Sequence, residues 1–160
     1  GLELVDQHGG SRLLAEIANA PALLTTAFGH CETVCPTVVA DLLRIRAESS
    51  RDAMPIVVIT VDPWRDTPAR LTGIAKAWGL GPTDLVLSGS VDQVEQALDR
   101  LAVARSRNLD NGDVIHVPVV FVLNDGNVEA RFDGGWGGVR AMLSRESPAI
   151  TTPGAVPSSD

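Results

Sequence analysis

The sequence contains few cysteines, and this limits the roles that they can have. There are two of them among 160 residues. A disulfide-rich scaffold needs more, and a four-cysteine zinc site is impossible. Since 44% of the residues are hydrophobic and 21% are charged, one domain of this length can form a core without additional cross-links.

Basic residues and long apolar runs are also scarce. The chain has 13 Lys and Arg against 20 Asp and Glu, which gives a net charge of −7. Nucleic-acid binding requires a basic face, so no nucleic-acid partner is expected. The sequence contains no apolar run of about 18 residues, so we expect no membrane span within it. It begins at Gly1, as a processed form does, and is compatible with an anchor or signal upstream.

Strand-like apolar runs alternate with helical stretches along the chain. The β-branched run at 55–62 predicts a central strand buried on both faces, and the Asn-Asp-Gly turn at 124–126 predicts a hairpin. The predicted order is β, β-α, β-α, β-α, β-β, α. This order, with two cysteines where an early strand meets a helix, predicts a thioredoxin-like α/β fold with a mixed sheet flanked by helices. We expect a single domain at 1–145 and a flexible tail rich in Pro, Ser and Thr at 146–160.

Both cysteines lie in the segment GHCETVCPTVV, as Cys31 and Cys35. If Cys35 lies in the first turn of a helix, residues four apart share a face with Cβ atoms about 5–6 Å apart. That is wide for a disulfide, which prefers about 3.8 Å, but it suits two sulfurs on one metal ion. A helix N-terminus also favours the thiolate. The spacing alone leaves a structural disulfide or buried thiols, a redox couple and a metal site all open.

One histidine adds a third candidate ligand. His116 precedes a strongly apolar strand, whose start faces the cysteine loop in a thioredoxin-like sheet. Two thiolates and an imidazole form a set that can hold Cu(I) or Cu(II). Zinc would require a fourth ligand, and none is evident in the sequence. The simple alternative is a surface or strand-edge histidine with no ligand role.

Three segments resemble the Sco/SenC/PrrC family of thioredoxin-like copper-binding proteins. They are FGHCETVCP at 28–36, VDPWRDTPARL at 61–71 and IHVPVVFVLNDGNV at 115–128. The second is similar to the family's VDP-x-RDTP segment and is the most specific of the three. The resemblance spans residues 2–145.

The resemblance implies an extracytoplasmic protein tethered to a membrane by a segment upstream of this sequence. It implies one copper ion per monomer, Cu(I) or Cu(II), bound by Cys31, Cys35 and His116. The expected role is that of a metallochaperone, and not of a turnover enzyme. Its expected partner is the copper-site subunit of cytochrome c oxidase or another copper chaperone, and the protein itself is expected to be a monomer.

Three other roles remain open for the cysteine pair. In a thiol–disulfide oxidoreductase, Cys31 would attack a target disulfide and Cys35 would resolve the mixed disulfide. A disulfide between the cysteines of the oxidase copper site is one such target. In a peroxidase-like or redox-sensing relative, Cys31 would pass through a sulfenic acid. A purely structural disulfide is the third alternative.

The sequence also departs from the family's pattern. Glu32-Thr33 stands where the family often has Pro-Asp, and Ile115 stands where an acidic residue usually precedes the histidine. The loss of that carboxylate would change the orientation of the imidazole or the field at copper. Pro118 lies in a segment that resembles the one carrying a cis-proline in thioredoxins.

The VDPWRDTP segment has its own expected roles. Asp66 or Thr67 is predicted to cap the next helix, with Pro68 at its first position. Asp62 and Arg65 are expected near the cysteine loop, where they can influence the thiol pKa values. Trp64 is a candidate for a partner surface, with core packing as the alternative.

Overall fold

A computed structural model describes residues 2–29, 35–49, 54–134 and 136–144 of the chain. The side chains of Cys35 and Pro36 lie outside this description. The predicted tail at 146–160 also lies outside the described residues, so its flexibility stays a prediction.

Nine strands occur in the described part. In chain order they are β1 (Glu3–Val5), β2 (Ser11–Leu13), β3 (Ala22–Ala27), β4 (Ile56–Thr60), β5 (Leu85–Leu87), β6 (Arg105–Arg107), β7 (Val114–His116), β8 (Val119–Asn124) and β9 (Asn127–Asp133). Five of them form the main sheet in the order β5-β4-β3-β8-β9. The neighbours β3, β4 and β5 are parallel, whereas β8 is antiparallel to both β3 and β9. The predicted mixed sheet of a thioredoxin-like fold is confirmed.

Helices flank this sheet. They are α1 (Leu14–Ile17), α2 (Cys35–Glu48), α3 (Leu71–Trp78), α4 (Val91–Arg100) and α5 (137–144). Ser90 caps α4, since its side chain accepts a hydrogen bond from the Gln93 backbone in a reciprocal capping box. Among the described residues, no helix combines the length and the apolar character needed to cross a bilayer.

The core is built on the parallel strands. All five residues of β4 are buried, as its unbroken β-branched run predicts. All six residues of β3 are buried as well, because this strand lies between β4 and β8. Val39 and Leu42 of α2 are fully buried. Together these contacts fix the sheet from which the loops of the site extend.

The topology brings three chain segments to one edge of the main sheet. Since β3 and β4 are parallel, their carboxyl ends meet there, and the Val61 N–H donates to the Ala27 carbonyl at 3.0 Å. The antiparallel strand β8 begins at the same edge, where the Thr25 hydroxyl donates to the Val119 carbonyl at 2.7 Å. The segment after β3, the segment after β4 and the segment before β8 therefore converge.

The predicted side-chain cap after β4 is wrong. Thr67 lies at the N-cap position of a 3₁₀ turn, Pro68–Arg70, that precedes α3, and Pro68 takes the first position as predicted, but the Thr67 side chain makes no capping hydrogen bond. The Asp66 carboxylate accepts hydrogen bonds from the Gly29 N–H and the Thr60 hydroxyl, and is therefore not free to act as a cap. The peptide bond before Pro118 is trans, although its segment resembles the one that carries a cis-proline in thioredoxins. Trans is the lower-energy isomer even before proline.

Candidate metal centre

The structure describes the three predicted ligands to different extents. His116 is the last residue of β7 and is fully described. Cys35 is the first residue of α2, as predicted, but its side chain lies outside the described part. Cys31 lies outside it entirely. Both sulfur positions therefore lie outside the described residues, and the three-ligand set stays a prediction.

The imidazole of His116 lies against the segment that leads into the cysteine motif. Its ring centre is 5.8 Å from that of Phe28, in an edge-to-face arrangement with an interplanar angle of 68°. Phe28 is buried and follows β3 directly, three residues before Cys31. The imidazole also hydrogen-bonds to the backbone of Thr26 in β3. The histidine is thus held at the edge of the sheet where the cysteine motif begins.

The surroundings of His116 favour its neutral form. Burial lowers the pKa of the imidazole below its ordinary value, and the hydrogen bond to the Thr26 backbone, which acts in the opposite direction, does not reverse this. A neutral imidazole that donates from one nitrogen has a lone pair on the other. That is the form in which histidine binds a metal, and a hydrogen bond on the second nitrogen fixes the tautomer and the ring orientation.

Asp66 anchors the first residues after β3. Its Oδ2 atom accepts hydrogen bonds from the Gly29 N–H at 2.8 Å and from the Thr60 hydroxyl at 2.7 Å. Gly29 approaches Ile74 so closely that an added Cβ would lie 2.8 Å from its Cδ1 atom. A side chain at position 29 would therefore displace the Ile74 side chain or shift the backbone at Gly29. Asp66 and Gly29 together fix the start of the cysteine motif.

Asp62 and Arg65 form a partly satisfied ion pair beside this edge. Asp62 is fully buried, and its Oδ2 lies 3.4 Å from the Nε of Arg65 without hydrogen-bond geometry. Burial raises the pKa of Asp62, and the positive charge of Arg65 opposes this rise. This pair is predicted to lie near the cysteine sulfurs. Since both sulfurs lie outside the described residues, that remains a prediction.

Trp64 packs against Arg107 of strand β6 and is also partly open to solvent. The guanidinium of Arg107 lies over its ring, 4.2 Å from the ring centre. The tryptophan is nevertheless 37% exposed, so neither of its two expected roles is excluded. Cation–π contacts of this kind contribute about 0.5–1 kcal/mol at exposed sites.

The β6–β7 hairpin is the main feature of the site that the sequence predictions missed. Its strands are Arg-Ser-Arg and Val-Ile-His, which lack the apolar alternation by which strands are recognised. The Asn111-Gly112 pair between them is a strong hairpin signal and would have identified the turn. Within the described residues, no group of three or more His, Cys, Asp or Glu side chains is placed to hold a metal ion.

Comparison with known proteins yields a consistent group of relatives. The SCO1/SenC family model matches residues 2–139. An SCO2-like protein of Rickettsia prowazekii is 32% identical over 115 residues, which is 69% of this chain and 55% of that protein. The chain thus spans about half the length of the curated relatives it matches.

Solved structures agree in fold. Bradyrhizobium japonicum ScoI with copper bound aligns with a TM-score of 0.70 and 25% identity, and the match covers 90% of this chain and 96% of that one. BsSco, described as a cytochrome c oxidase assembly protein of the Sco family with a disulfide switch, aligns with a TM-score of 0.71 and 22% identity. That match covers 94% of this chain and 91% of BsSco, and at this identity it shows the fold alone.

Proposed function

The chain belongs to the SCO1/SenC family, and on this premise we propose that it is an extracytoplasmic copper metallochaperone. It binds one copper ion per monomer through Cys31, Cys35 and His116. It passes the ion by ligand exchange to the copper-site subunit of cytochrome c oxidase or to another copper chaperone. A membrane tether upstream of this sequence keeps the domain near that recipient.

One observation supports the proposal above all others, namely the position of His116. Its imidazole contacts Phe28, three residues before Cys31, and the backbone of Thr26 in β3. The copper-bound Bradyrhizobium japonicum relative agrees with it.

The chemistry of the donor set fits copper. Thiolates are the soft ligands that select Cu(I), and imidazole also suits Cu(II). Bound copper would be the cargo, and the chain supplies two thiolates and a neutral imidazole to hold it. On either side of His116, Ile115 is 74% exposed and Val117 is 48% exposed. His116 itself is only partly buried, so a recipient whose own ligands must approach the ion during exchange can reach it.

A thiol–disulfide oxidoreductase is the second candidate, favoured by the position of Cys35 at the first residue of α2. The Cys31 thiolate would attack a substrate disulfide and release one substrate thiolate. Cys35 would then attack the sulfur of Cys31 and release the second. The substrate gains two electrons, and the protein is left with a Cys31–Cys35 disulfide.

Titration of the fully reduced protein with copper tests the proposal. We expect one bound equivalent per chain and, with Cu(II), a thiolate-to-copper charge-transfer band. Cys31→Ser and Cys35→Ser should each remove the band, because both sulfurs are ligands. His8→Ala is the matched control, since His8 is exposed in the turn after β1 and should not affect the titration.

The same variants separate the two candidates. Loss of disulfide-reducing activity in Cys31→Ser, with no copper bound by the reduced wild-type protein, would refute the chaperone proposal and support the oxidoreductase. Copper binding that persists unchanged in both serine variants would refute the ligand set.

A further inference from the structure

The β6–β7 hairpin that carries His116 is separate from the main sheet. Its two strands pair with each other in a two-stranded sheet of their own. In the register of this pair, Arg105 is opposite His116 and Arg107 is opposite Val114. Since side chains alternate along a strand, these four residues share one face. The position of the imidazole therefore depends on what holds the hairpin to the rest of the domain.

The turn of the hairpin is a rigid unit held by its own hydrogen bonds. The Gly112 N–H donates to the Asn108 carbonyl, and the Asn108 N–H donates to the Asp113 carbonyl, both at 2.7 Å. The Asp113 N–H donates to the Asn111 side chain at 2.9 Å. A force on Asn111 or Asp113 is therefore transmitted to β7 and to His116, three residues beyond Asp113.

Arg65 attaches this turn to the end of β4. Its Nη2 donates to the Asn111 carbonyl at 2.8 Å and to the Asp113 carboxylate at 3.0 Å. On its other side, its Nε lies 3.4 Å from the buried carboxylate of Asp62. The planar guanidinium thus donates to two acceptors in the turn and pairs with the Asp62 charge on its other side, which a lysine ammonium on its flexible stem cannot reproduce.

We propose that Arg65 is a positioning residue for copper binding, which holds the 108–113 turn and thereby orients His116 without contacting the metal. The proposal rests on the proposed function, because it assumes that His116 is a ligand. Its physical basis is preorganisation: a ligand held in place before binding loses less conformational freedom when the ion arrives.

A second position allows the same contact to be broken from the opposite side. Gly112 has φ +79°, and a Cβ there would lie 2.9 Å from the Arg65 Nη2. Gly112→Ala should therefore displace the guanidinium while leaving the Arg65–Asp62 charges in place. Gly9 has φ +81° with no atom within 4 Å of such a Cβ, so Gly9→Ala reproduces the backbone strain alone. It is the matched control.

The experiment measures copper affinity by competition for the wild-type protein, Arg65→Gln, Arg65→Lys, Gly112→Ala and Gly9→Ala. Arg65→Gln and Gly112→Ala should bind copper about 10–100-fold more weakly, the range typical of partners that orient a ligand. Arg65→Lys should restore only part of the loss, and Gly9→Ala should match the wild-type protein. With Cu(II), the two weakened variants should keep the thiolate charge-transfer band and lose nitrogen hyperfine coupling from the imidazole.

Hydrogen exchange of the metal-free protein provides a readout that does not depend on copper. Amides of β6 and β7 should exchange faster in Arg65→Gln and Gly112→Ala, while those of β3 and β4 stay protected. Unchanged exchange in the hairpin would overturn the positioning role, whatever the copper result. If His116→Ala impairs copper binding but Gly112→Ala does not, the positioning role fails and the proposed function stands. If the wild-type protein binds no copper, the proposed function fails.

Discussion

Replacing His116 by alanine should weaken copper binding by about 100-fold or more and remove imidazole nitrogen from the copper environment. Substitution of residues that only orient a ligand typically costs about 10–100-fold in metal affinity, so loss of a ligand itself should cost at least the upper end of that range. The expected cause is local. The imidazole contacts Phe28 and the Thr26 backbone beside the cysteine motif, and alanine keeps the strand but removes the donor nitrogen.

Competition titration and a count of reactive thiols measure this effect. Both thiols should remain reactive in His116→Ala, and circular dichroism should show a folded protein, because the side chain is only half-buried. His8→Ala should bind copper as the wild-type protein does. An affinity for copper that is unchanged in His116→Ala would contradict the assignment of the histidine and leave only the dithiol chemistry of the cysteines.

The second large effect concerns stability. Asp84→Ala should destabilise the fold by about 3–5 kcal/mol, because it removes one partner of a buried ion pair. The carboxylate of Asp84 is fully buried and accepts from Arg46 at 2.6 and 3.0 Å. It also accepts from the backbone N–H groups of Ile56 at 2.9 Å and Gly81 at 2.7 Å. One side chain thus joins α2, the start of β4 and the loop before β5.

Urea unfolding monitored by circular dichroism measures the loss, and pH supplies an internal check. Burial alone would raise the pKa of Asp84, but the hydrogen bonds from Arg46, Ile56 and Gly81 hold it below its ordinary value. A lowered pKa in the folded state stabilises the protein above pH 3.8, and this stabilisation disappears as the pH falls through the folded pKa. The difference between the wild-type protein and Asp84→Asn should therefore shrink below pH 3.8.

Asp84→Ala should leave the copper affinity of the folded protein unchanged. Asp84 bonds to Ile56 at the amino end of β4, whereas Asp62 and Arg65 follow its carboxyl end. If Asp84→Ala lowers the free energy of unfolding by less than about 1 kcal/mol, water replaces the carboxylate at little cost, and this would contradict the burial argument.

The parts of the fold that the sequence predicts are those fixed by local chemistry. The unbroken β-branched run at 56–60 is sufficient to identify a strand buried on both faces. The pair Ser90 and Gln93 is a complete helix-start signal and forms the capping box that it predicts. In both cases the residues that decide the structure are neighbours in the chain.

The parts that the sequence does not predict depend on contacts between distant residues. Asp66 has the spacing of a helix cap, yet its carboxylate binds Gly29, which lies 37 positions away. Strand β7 has little strand character of its own and is held through Arg65, which lies 48 positions before Asp113. The place of His116 before an apolar strand and the family resemblance predict a ligand role for it. The hairpin that positions it has no comparable local signal in its strands.

X-ray absorption at the copper edge tests the central claim most directly, because it counts the atoms bound to the ion in the reduced, copper-loaded protein. The account predicts two sulfur scatterers and one imidazole nitrogen, with the imidazole contribution absent from His116→Ala. A wild-type spectrum with fewer than two sulfurs, or one that His116→Ala leaves unchanged, would contradict it.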